Sequence, residues 1–484
     1  MTIPITDLLA DSIETRSGEG TLESSSADAS VSARLDRLPP TRYFLGLVMR
    51  IATGGWFEFY EMFMAAYIAL GLISSGLYRA TTEGFFDANG FASFLGSFFA
   101  GMFIGTIALG GVTDRFGRRS VFTFAMLVYS VATFVAALQT SPEAMDIWRF
   151  FSGIGIGVQL ITVDTYISEL TPHHTRGHYT AFSILVILTS VPVVAVLSYF
   201  LVPQTVLGLD GWRWVMIVGS AGAVLIWFMR RGLPESPRWL ESKGRVAEAR
   251  AIVDAIEQRV IAETGVALAT PRIDRSAPTR EERGSLLEIW KGRYLGRTLM
   301  LSLFNFFQTF GVYGFGSWVP VLLFTKGITI THSLLYTMVI AFATPIGAFG
   351  AMTCAERFQR KWQLVGCAIV VAVAGVLFGM ARGPVLILLC GCAVTIANNW
   401  LIGVFHTYQA ELYPTRIRAA AVGFVFSWSR LSSIFIGFWV AALLKYSGVP
   451  AVFVLISSAM LVIVVLVGLF GPKTNGVPLE ELSQ

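Results

Sequence analysis

The sequence predicts an all-α membrane protein whose twelve transmembrane helices form two pseudo-symmetric six-helix bundles. Three observations carry this. Of 484 residues, 54% are hydrophobic and only 14% charged, against about 25% charged in an ordinary soluble chain. Apolar windows of about twenty residues, the length that crosses a bilayer core, recur twelve times. The charges in two loops of the first half return in the second half at one fixed offset.

Composition comes first. A soluble chain of this length would divide into domains with charged surfaces, and the charges for such surfaces are missing. The net charge of +5 does not point to nucleic acid, because the basic residues follow membrane topology. Cys354, Cys367, Cys390 and Cys392 lie in apolar segments without zinc-site or redox spacing, so they read as buried small residues. The opening "MTIPITDLLADSIETRSGEG" has no basic start followed by an apolar core, so it does not read as a secretory signal peptide. Residues 1–41, rich in Ser, Asp and Glu, read as a disordered tail on the cytoplasmic side.

The spans fall near 44–73, 90–110, 119–139, 147–170, 178–202 and 212–231, then 298–324, 333–353, 362–381, 384–409, 417–442 and 449–471. The domains follow: an N-terminal bundle over 42–231, a linker over 232–297, a C-terminal bundle over 298–471 and a short tail over 472–484. The Lys and Arg residues alternate in step with this map. Arg115, Arg118 and Arg119 follow the second span, Arg176 the fourth, Arg357, Arg360 and Lys361 the eighth, and Arg416 and Arg418 the tenth. Fourteen more lie from Arg230 to Arg297. The opposite loops hold about one each: Arg79, Arg149, Arg213, Lys326, Arg382 and Lys445. By the positive-inside rule both termini are cytoplasmic. Within the linker, "RVAEARAIVDAIEQRV" has helical apolar spacing and reads as an amphipathic helix along the cytoplasmic face, a solvated linker being the alternative.

The repeat lies in the charges. "GGVTDRFGRRS" holds Asp114, Arg115, Arg118 and Arg119, and "MTCAERFQRKW" holds Glu356, Arg357, Arg360 and Lys361, each pair 242 apart (356 − 114 = 242). "ELTPHHTRG" and "ELYPTRIRA" pair Glu169 with Glu411, Pro172 with Pro414 and Arg176 with Arg418 at the same offset. Related halves are a recurrent transporter design, with cargo held between them near the midplane. The offset also pairs Asp164 with His406, each five residues before its loop glutamate, about 7.5 Å deeper in the membrane.

These loops carry a resemblance. "GGVTDRFGRR" resembles the signature between the second and third spans of the major facilitator superfamily, and "RFFSGIGIG" from Arg149 its fourth-span motif. "PESPRWLESKGR" from Pro234 is similar to the motif after span six of the sugar-porter branch. "TNGVPLEEL" resembles that branch's closing motif, although "GPKTNG" stands where the pattern has Pro-Glu-Thr-Lys-Gly. The resemblance implies the major facilitator fold and secondary transport. Span seven, "NFFQTFGVYGFGSWVPVLL", lacks the paired glutamines of sugar porters and looks more like the metabolite, organic-ion and aromatic-acid relatives. So does span eleven, where "SWSRLSSIFIG" sets Arg430 deep in the helix, without the proline those relatives often have.

"GGWFEFYEMFMAAYIALGL" places Glu58 and Glu61 in the first span, three residues apart and so on one helix face. An ionisable group at membrane depth is costly facing lipid and tolerable facing a polar cavity. An acid in a buried site, repelled by a second one, can exchange a proton near neutral pH. Proton coupling by Glu58, Glu61 or Asp164 is one reading, and a structural pair that never titrates is the other. In the resembling families an acid in span one often carries the proton. Arg430 stays protonated, and its planar fork suits a carboxylate. It binds an anionic substrate, pairs with Glu58 or Glu61, or pins helices. Gln159, Asn305, Gln308, Tyr313, Asn398, Asn399 and Trp400 sit at cavity depth as candidate substrate-binding groups, with bonds to neighbouring helices as the plain alternative. His406 is either a titrating group or a packed one.

The loop charges read as a cytoplasmic gate: Asp114, Arg115, Arg118, Arg119, Glu169, Arg176, Glu235, Arg238, Glu356, Arg357, Glu411 and Arg418. Arg115 and Arg118 are within reach of Glu169 or the other half. Remaking such a latch lets two halves rock about a fixed site. "SGIGIGVQL" follows no strand, so its glycines read as close packing and not as a dinucleotide loop. No phosphate loop, catalytic constellation or metal-ligand spacing is present. Span five, "LTSVPVVAV", lacks the glycine-rich pattern of proton antiporters, which favours symport.

The expectation is a proton-coupled symporter that imports a small organic metabolite, a carboxylate or aromatic acid first and a sugar or polyol second, with a passive facilitator or transporter-like sensor as the other class. It is not an enzyme and needs no cofactor beyond the proton gradient. Its partners are substrate, protons and the lipid bilayer. It is expected to act as a monomer in the bacterial inner membrane.

Overall fold

The computed structural model describes residues 30–84, 86–108, 112–229, 232–271, 286–354 and 357–475. Six helices precede the linker: α1 Arg42–Ser74, α2 Phe91–Ala108, α3 Arg118–Ala137, α4 Pro142–Leu170, α5 in two pieces, Arg176–Leu188 and Ser190–Leu201, and α6 likewise, Gly211–Ser220 and Gly222–Met229. Six follow it. In α7, Gly292–Thr309 passes through a π-helical turn, Phe310–Phe315, before Val319–Thr325. Then come α8, Ile330–Ala341 and Ala343–Cys354, α9 Arg360–Met380 and α10 Pro384–Glu411. The last run, Thr415–Val465, is interrupted at Gly448, whose φ of 75° and ψ of −176° no helix continues through. That glycine, two residues before Pro450, separates α11 from α12 where the hydropathy windows placed the boundary.

Local chemistry starts these helices where they start. Ser141 caps α4 through the backbone N–H of Ala144 with Pro142 at its first position, a pairing suited to a helix N-terminus. Thr329 does the same for α8 through His332. Eight helical runs among the described residues are long and apolar enough to cross a membrane. Those runs include the two-piece α5 and α8, and the last holds both α11 and α12; α2, α6 and α7 supply the remaining spans.

In the first bundle α4 packs on α2 and α3, and α1 on α5. In the second, α10 packs on α8 and α9, so the repeat in sequence is a repeat in space. The fourth-span glycines do what their spacing predicts. A Cβ on Gly153 would lie 2.1 Å from the Phe98 carbonyl oxygen, and one on Gly101 would lie 2.0 Å from that of Phe150. Two backbones approach closely because neither helix has a side chain there. The halves meet through α2 on α11, α5 on α8 and Val319–Thr325 on α1. Gly96 faces Phe438, and Phe86 stacks edge-on against it at 5.2 Å. The α5–α8 seam is densest between Ser190–Leu201 and Ile330–Ala341, remote from the chain termini, and continues more sparsely between Arg176–Leu188 and Ala343–Cys354.

One expectation needs correction here, and the expected linker helix gains its packing partners. The tail is not disordered throughout: Val31–Asp36 is helical, with Val31, Leu35 and Leu38 buried. Arg34 and Arg37 both pair with Glu257 at 2.7 Å, and Asp36 pairs with Arg238 at 2.8 Å. Apolar residues at helical spacing between charges complementary to the linker order this stretch; residues 1–29 lie outside the described residues. The linker helix, Val246–Thr264, buries Ala249, Val253, Ile256 and Val260. That face packs on the tail helix and α1, so protein rather than lipid covers it.

Candidate functional site: two buried ionisable clusters

Glu58 and Glu61 are both buried on α1, yet each answers to a different partner. Glu61 forms an ion pair with Arg149 of α4. The same carboxylate oxygen accepts from Thr133 of α3 at 2.5 Å and Ser152 of α4 at 3.4 Å. The Arg149 guanidinium lies 4.7 and 4.3 Å from the ring centres of Phe94 and Phe98, and neither ion is accessible to solvent. The sequence reading counted Arg149 among the loop charges. Helix α4 starts at Pro142 instead of near 147, which places Arg149 about two turns inside it.

Glu58 has no ion pair among the described residues, and one of its carboxylate oxygens has no hydrogen-bond partner. The charged groups acting on it are Asp164 of α4 and Arg430 of α11, not Glu61. Arg430 is buried, its Nε has no hydrogen-bond partner and its guanidinium carbon lies 4.8 Å from the Phe426 ring centre. Its Nη1 reaches the Tyr313 hydroxyl at 3.5 Å. It forms no salt bridge to Glu58, Glu61 or any other carboxylate among the described residues, so the internal-pair reading has no contact behind it. His406 stands 5.7 Å from Phe426, ring to ring, and feels the charge of Arg430. Asp164 and His406 are exposed although both sit inside helices. Since one acts on Glu58 and the other lies beside Arg430, the space they open onto lies between the halves.

Tyr313 sits in the π-helical turn of α7, a type of distortion common at functional sites. Its ring packs 4.6 Å from Phe99, and its hydroxyl lies 3.7 Å from the Met62 sulfur, both in the other half. Beneath it, Thr309 of α7 and Ser432 of α11 share a hydrogen bond of 2.7 Å, and Ser432 also donates to the Phe306 carbonyl at 2.8 Å. These bonds fix the turn of α11 that carries Arg430. Gln159 is fully buried with both amide atoms unpartnered.

The other candidates divide. Gln308 donates to Asn305 at 3.1 Å, and Asn305 to the Leu301 carbonyl at 2.9 Å, all along α7. Asn398 donates to the Gly311 carbonyl in the π-helical turn at 3.0 Å. Asn399 bonds to the Thr395 carbonyl of its own helix and packs against Gly347 of α8. Trp400 donates to Gln363 of α9 at 3.0 Å. The last two are therefore turned toward neighbouring helices of their own bundle and do not join the central cluster. Sequence reasoning missed Thr133, Ser152, Phe426 and Arg149 as site neighbours; only Arg149 and Ser152, inside the quoted "RFFSGIGIG" motif, offered a signal.

At the face bearing the chain termini, Arg118 is the hub. It donates to both oxygens of Glu169, at 2.8–3.2 Å, and to Asp114 at 2.8 Å. Glu235 accepts the backbone N–H groups of Arg118 at 2.8 Å and Arg119 at 3.0 Å. Arg238 holds Asp36 of the tail at 2.8 Å, with Arg176 close by, and Arg115 lies over Phe116 at 5.4 Å. In the second half Arg360 takes the role of Arg118, pairing with Glu411 at 3.3 Å and donating to Asn475 at 2.5 Å. Both pairs obey the offset, since 360 − 118 and 411 − 169 equal 242. Arg418 donates to the Tyr413 carbonyl at 3.2 Å, Arg357 is exposed, and Glu356 lies outside the described residues. Each of these bonds joins groups of one half or its attached tail and linker. Arg118 thus reaches Glu169 and braces its own bundle.

Residues 47–484 match the family described as "Sugar (and other) transporter". The chain belongs to this family. It is 33% identical over 445 residues to the putative metabolite transport protein YyaJ of Bacillus subtilis (strain 168), covering 91% of this chain and 95% of that one. It is 28% identical to the niacin transporter NiaP of Acinetobacter baylyi, covering 93% and 99%. Among solved structures it is similar to a partially occluded inward open conformation of the xylose transporter XylE from E. coli, with a TM-score of 0.72, 21% identity and coverage of 90% and 100%. The protein is therefore a sugar or metabolite transporter of the major facilitator superfamily, a multi-pass membrane protein and not an enzyme.

Proposed function

We propose that the protein imports a small organic carboxylate, an aromatic acid first, together with protons by alternating access. The observation that carries the reading is Arg430: buried, beside an aromatic ring, and without a carboxylate partner among the described residues. A permanent cation at membrane depth calls for a counter-charge, and a cargo carboxylate supplies one bidentately. Phe426 and Tyr313 offer apolar and hydroxyl surface for the rest of the molecule. The relation to a niacin transporter supports this class, niacin being an aromatic carboxylate.

Protons enter the scheme through Glu58. It lies in the field of both Asp164 and Arg430, so a cargo anion on Arg430 removes a positive charge acting on it, and it takes a proton. Glu61, paired with Arg149 inside the first bundle, has a structural part in this scheme. The denser α5–α8 contacts lie away from the terminus-bearing face, which supports a resting state open toward that face. With cytoplasmic termini, as the loop arginines argue, this is an inward-facing carrier in a bacterial inner membrane, acting as a monomer. Arg118 and Arg360, each braced by its own glutamate, keep the bundles rigid while they rock.

Labelled nicotinate, benzoate and xylose are offered to vesicles containing the purified protein, with an imposed pH gradient. Accumulation of an aromatic acid that a protonophore abolishes is the expected result. Xylose accumulation instead would replace the carboxylate reading by the sugar one, and uptake indifferent to the protonophore would make the protein a facilitator. The Arg430→Lys variant should lose transport while remaining folded.

A further inference from the structure

Trp400 was expected in the cargo site and is not there. It belongs to a groove of about 470 Å³ on the outer side of the second bundle, between α9 and α10. One wall is Trp362, Gly366 and Val370, spaced four residues apart on one face of α9. The other is Ala393, Ala397 and Trp400, at helical spacing on one face of α10. Gly366 opens the space, since a Cβ there would meet nothing within 4 Å. The surface is almost wholly apolar. The polar atoms beneath it are already matched, because Gln363 accepts from Trp400 and donates to the Cys354 and Phe358 carbonyls at 3.1 and 2.8 Å.

Length and polarity identify the occupant. From Trp362 to Val370 the groove runs about 12 Å at helical rise, close to the roughly 15 Å depth of one leaflet of a bilayer core. Its mouth lies beside the terminus-bearing end of α9. There Trp362 is 54% exposed and the Lys361 ammonium stands 5.3 Å from its ring centre. An aromatic ring and a lysine together mark the headgroup level. Arg357 is exposed just before α9. Lys473, also exposed, lies two residues before Asn475, which is bonded to Gln359 and Arg360. Lys361 therefore stands at the mouth of a slot one leaflet deep, with Arg357 and Lys473 exposed on the neighbouring chain segments.

We infer that this groove is a specific site for one anionic phospholipid, an acyl chain lying between Trp362 and Trp400 and the phosphate held by Lys361. The test uses the full-length protein in phosphatidylethanolamine vesicles doped with brominated phosphatidylglycerol or brominated phosphatidylethanolamine. Quenching of the Trp400 signal is taken as the difference between the wild type and Trp400→Phe. The brominated anionic lipid should be preferred about fivefold, the weight of one lysine near an anionic headgroup. Lys361→Gln should bring the preference close to parity. Gly366→Leu, which fills the slot, should abolish the extra quenching while melting temperature and cargo counterflow stay near wild type. Equal quenching by both lipids in the wild type overturns the site. So does an unchanged preference in Gly366→Leu, which would show headgroup attraction without a seated chain.

Discussion

One turn of α1 separates two environments. Glu61 is held by an ion pair and two hydroxyls in a dry enclosure of α3 and α4. Glu58 has a carboxylate oxygen with no hydrogen-bond partner, and its charged neighbours come from α4 and from the opposite bundle. The difference teaches that depth in the membrane does not define a residue's part in transport. Each carboxylate keeps one unbonded oxygen, but a group held by an ion pair inside one bundle resists change and carries stability. A group without an ion pair, beside charges from both bundles, can respond when the bundles move or cargo arrives.

The largest expected effect breaks the closed side. Arg149→Met leaves Glu61 buried without its counter-ion, which costs about 3–5 kcal/mol; thermal unfolding in detergent should show a large drop. The double variant Glu61→Gln with Arg149→Met removes both charges and should recover most of it. If Arg149→Met melts like the wild type, the two environments are not distinct.

Next comes the open side. Arg430→Ala removes a charge with no carboxylate partner, so melting should shift little while uptake of the aromatic acid falls at least a hundredfold, a loss of about 2.7 kcal/mol or more. A large melting drop with binding intact would turn Arg430 into a structural pin.

Glu58→Gln sharpens the contrast further. Its stability should change by less than about 1 kcal/mol, because no bonded partner is stranded. Exchange of labelled for unlabelled cargo should persist, whereas accumulation driven by the pH gradient should fall. Undiminished accumulation would shift the proton to Glu61 or Asp164.

The smallest effect concerns the paired braces. Asn475→Ala removes one neutral acceptor from Arg360 and should cost about 0.5–1.5 kcal/mol. Glu235→Ala removes a carboxylate that accepts two N–H groups at the head of α3 and should cost more, about 2 kcal/mol. Equal costs in melting experiments would mean the two braces do not differ in the way their donors and acceptors indicate.

Much of this was legible along the chain. Twelve apolar windows gave twelve helices, with the end at Gly448 resolved by hydropathy even though the backbone runs almost continuously there. The offset of 242 placed Arg118 with Glu169 and Arg360 with Glu411 in equivalent positions. Span length and repeat are local or periodic properties, set by the bilayer and by duplication, so one dimension records them. The loop position given to Arg149 failed because a charge count assigns arginines to the nearest apparent gap, and only a partner on another helix makes a buried one affordable. Asn399 and Trp400 failed because polarity at cavity depth does not say which way a side chain turns.

The sequence by itself determined the spans, the two related halves, the charged braces and the presence of two acids and an arginine at membrane depth. Only the tertiary structure decided that Glu61 belongs to Arg149, that Glu58 belongs with Asp164 and Arg430, and that Trp400 looks outward. The physical reason is that an ionisable group in a low-dielectric interior is defined by the few side chains within several ångströms, and here those come from helices tens to hundreds of residues away.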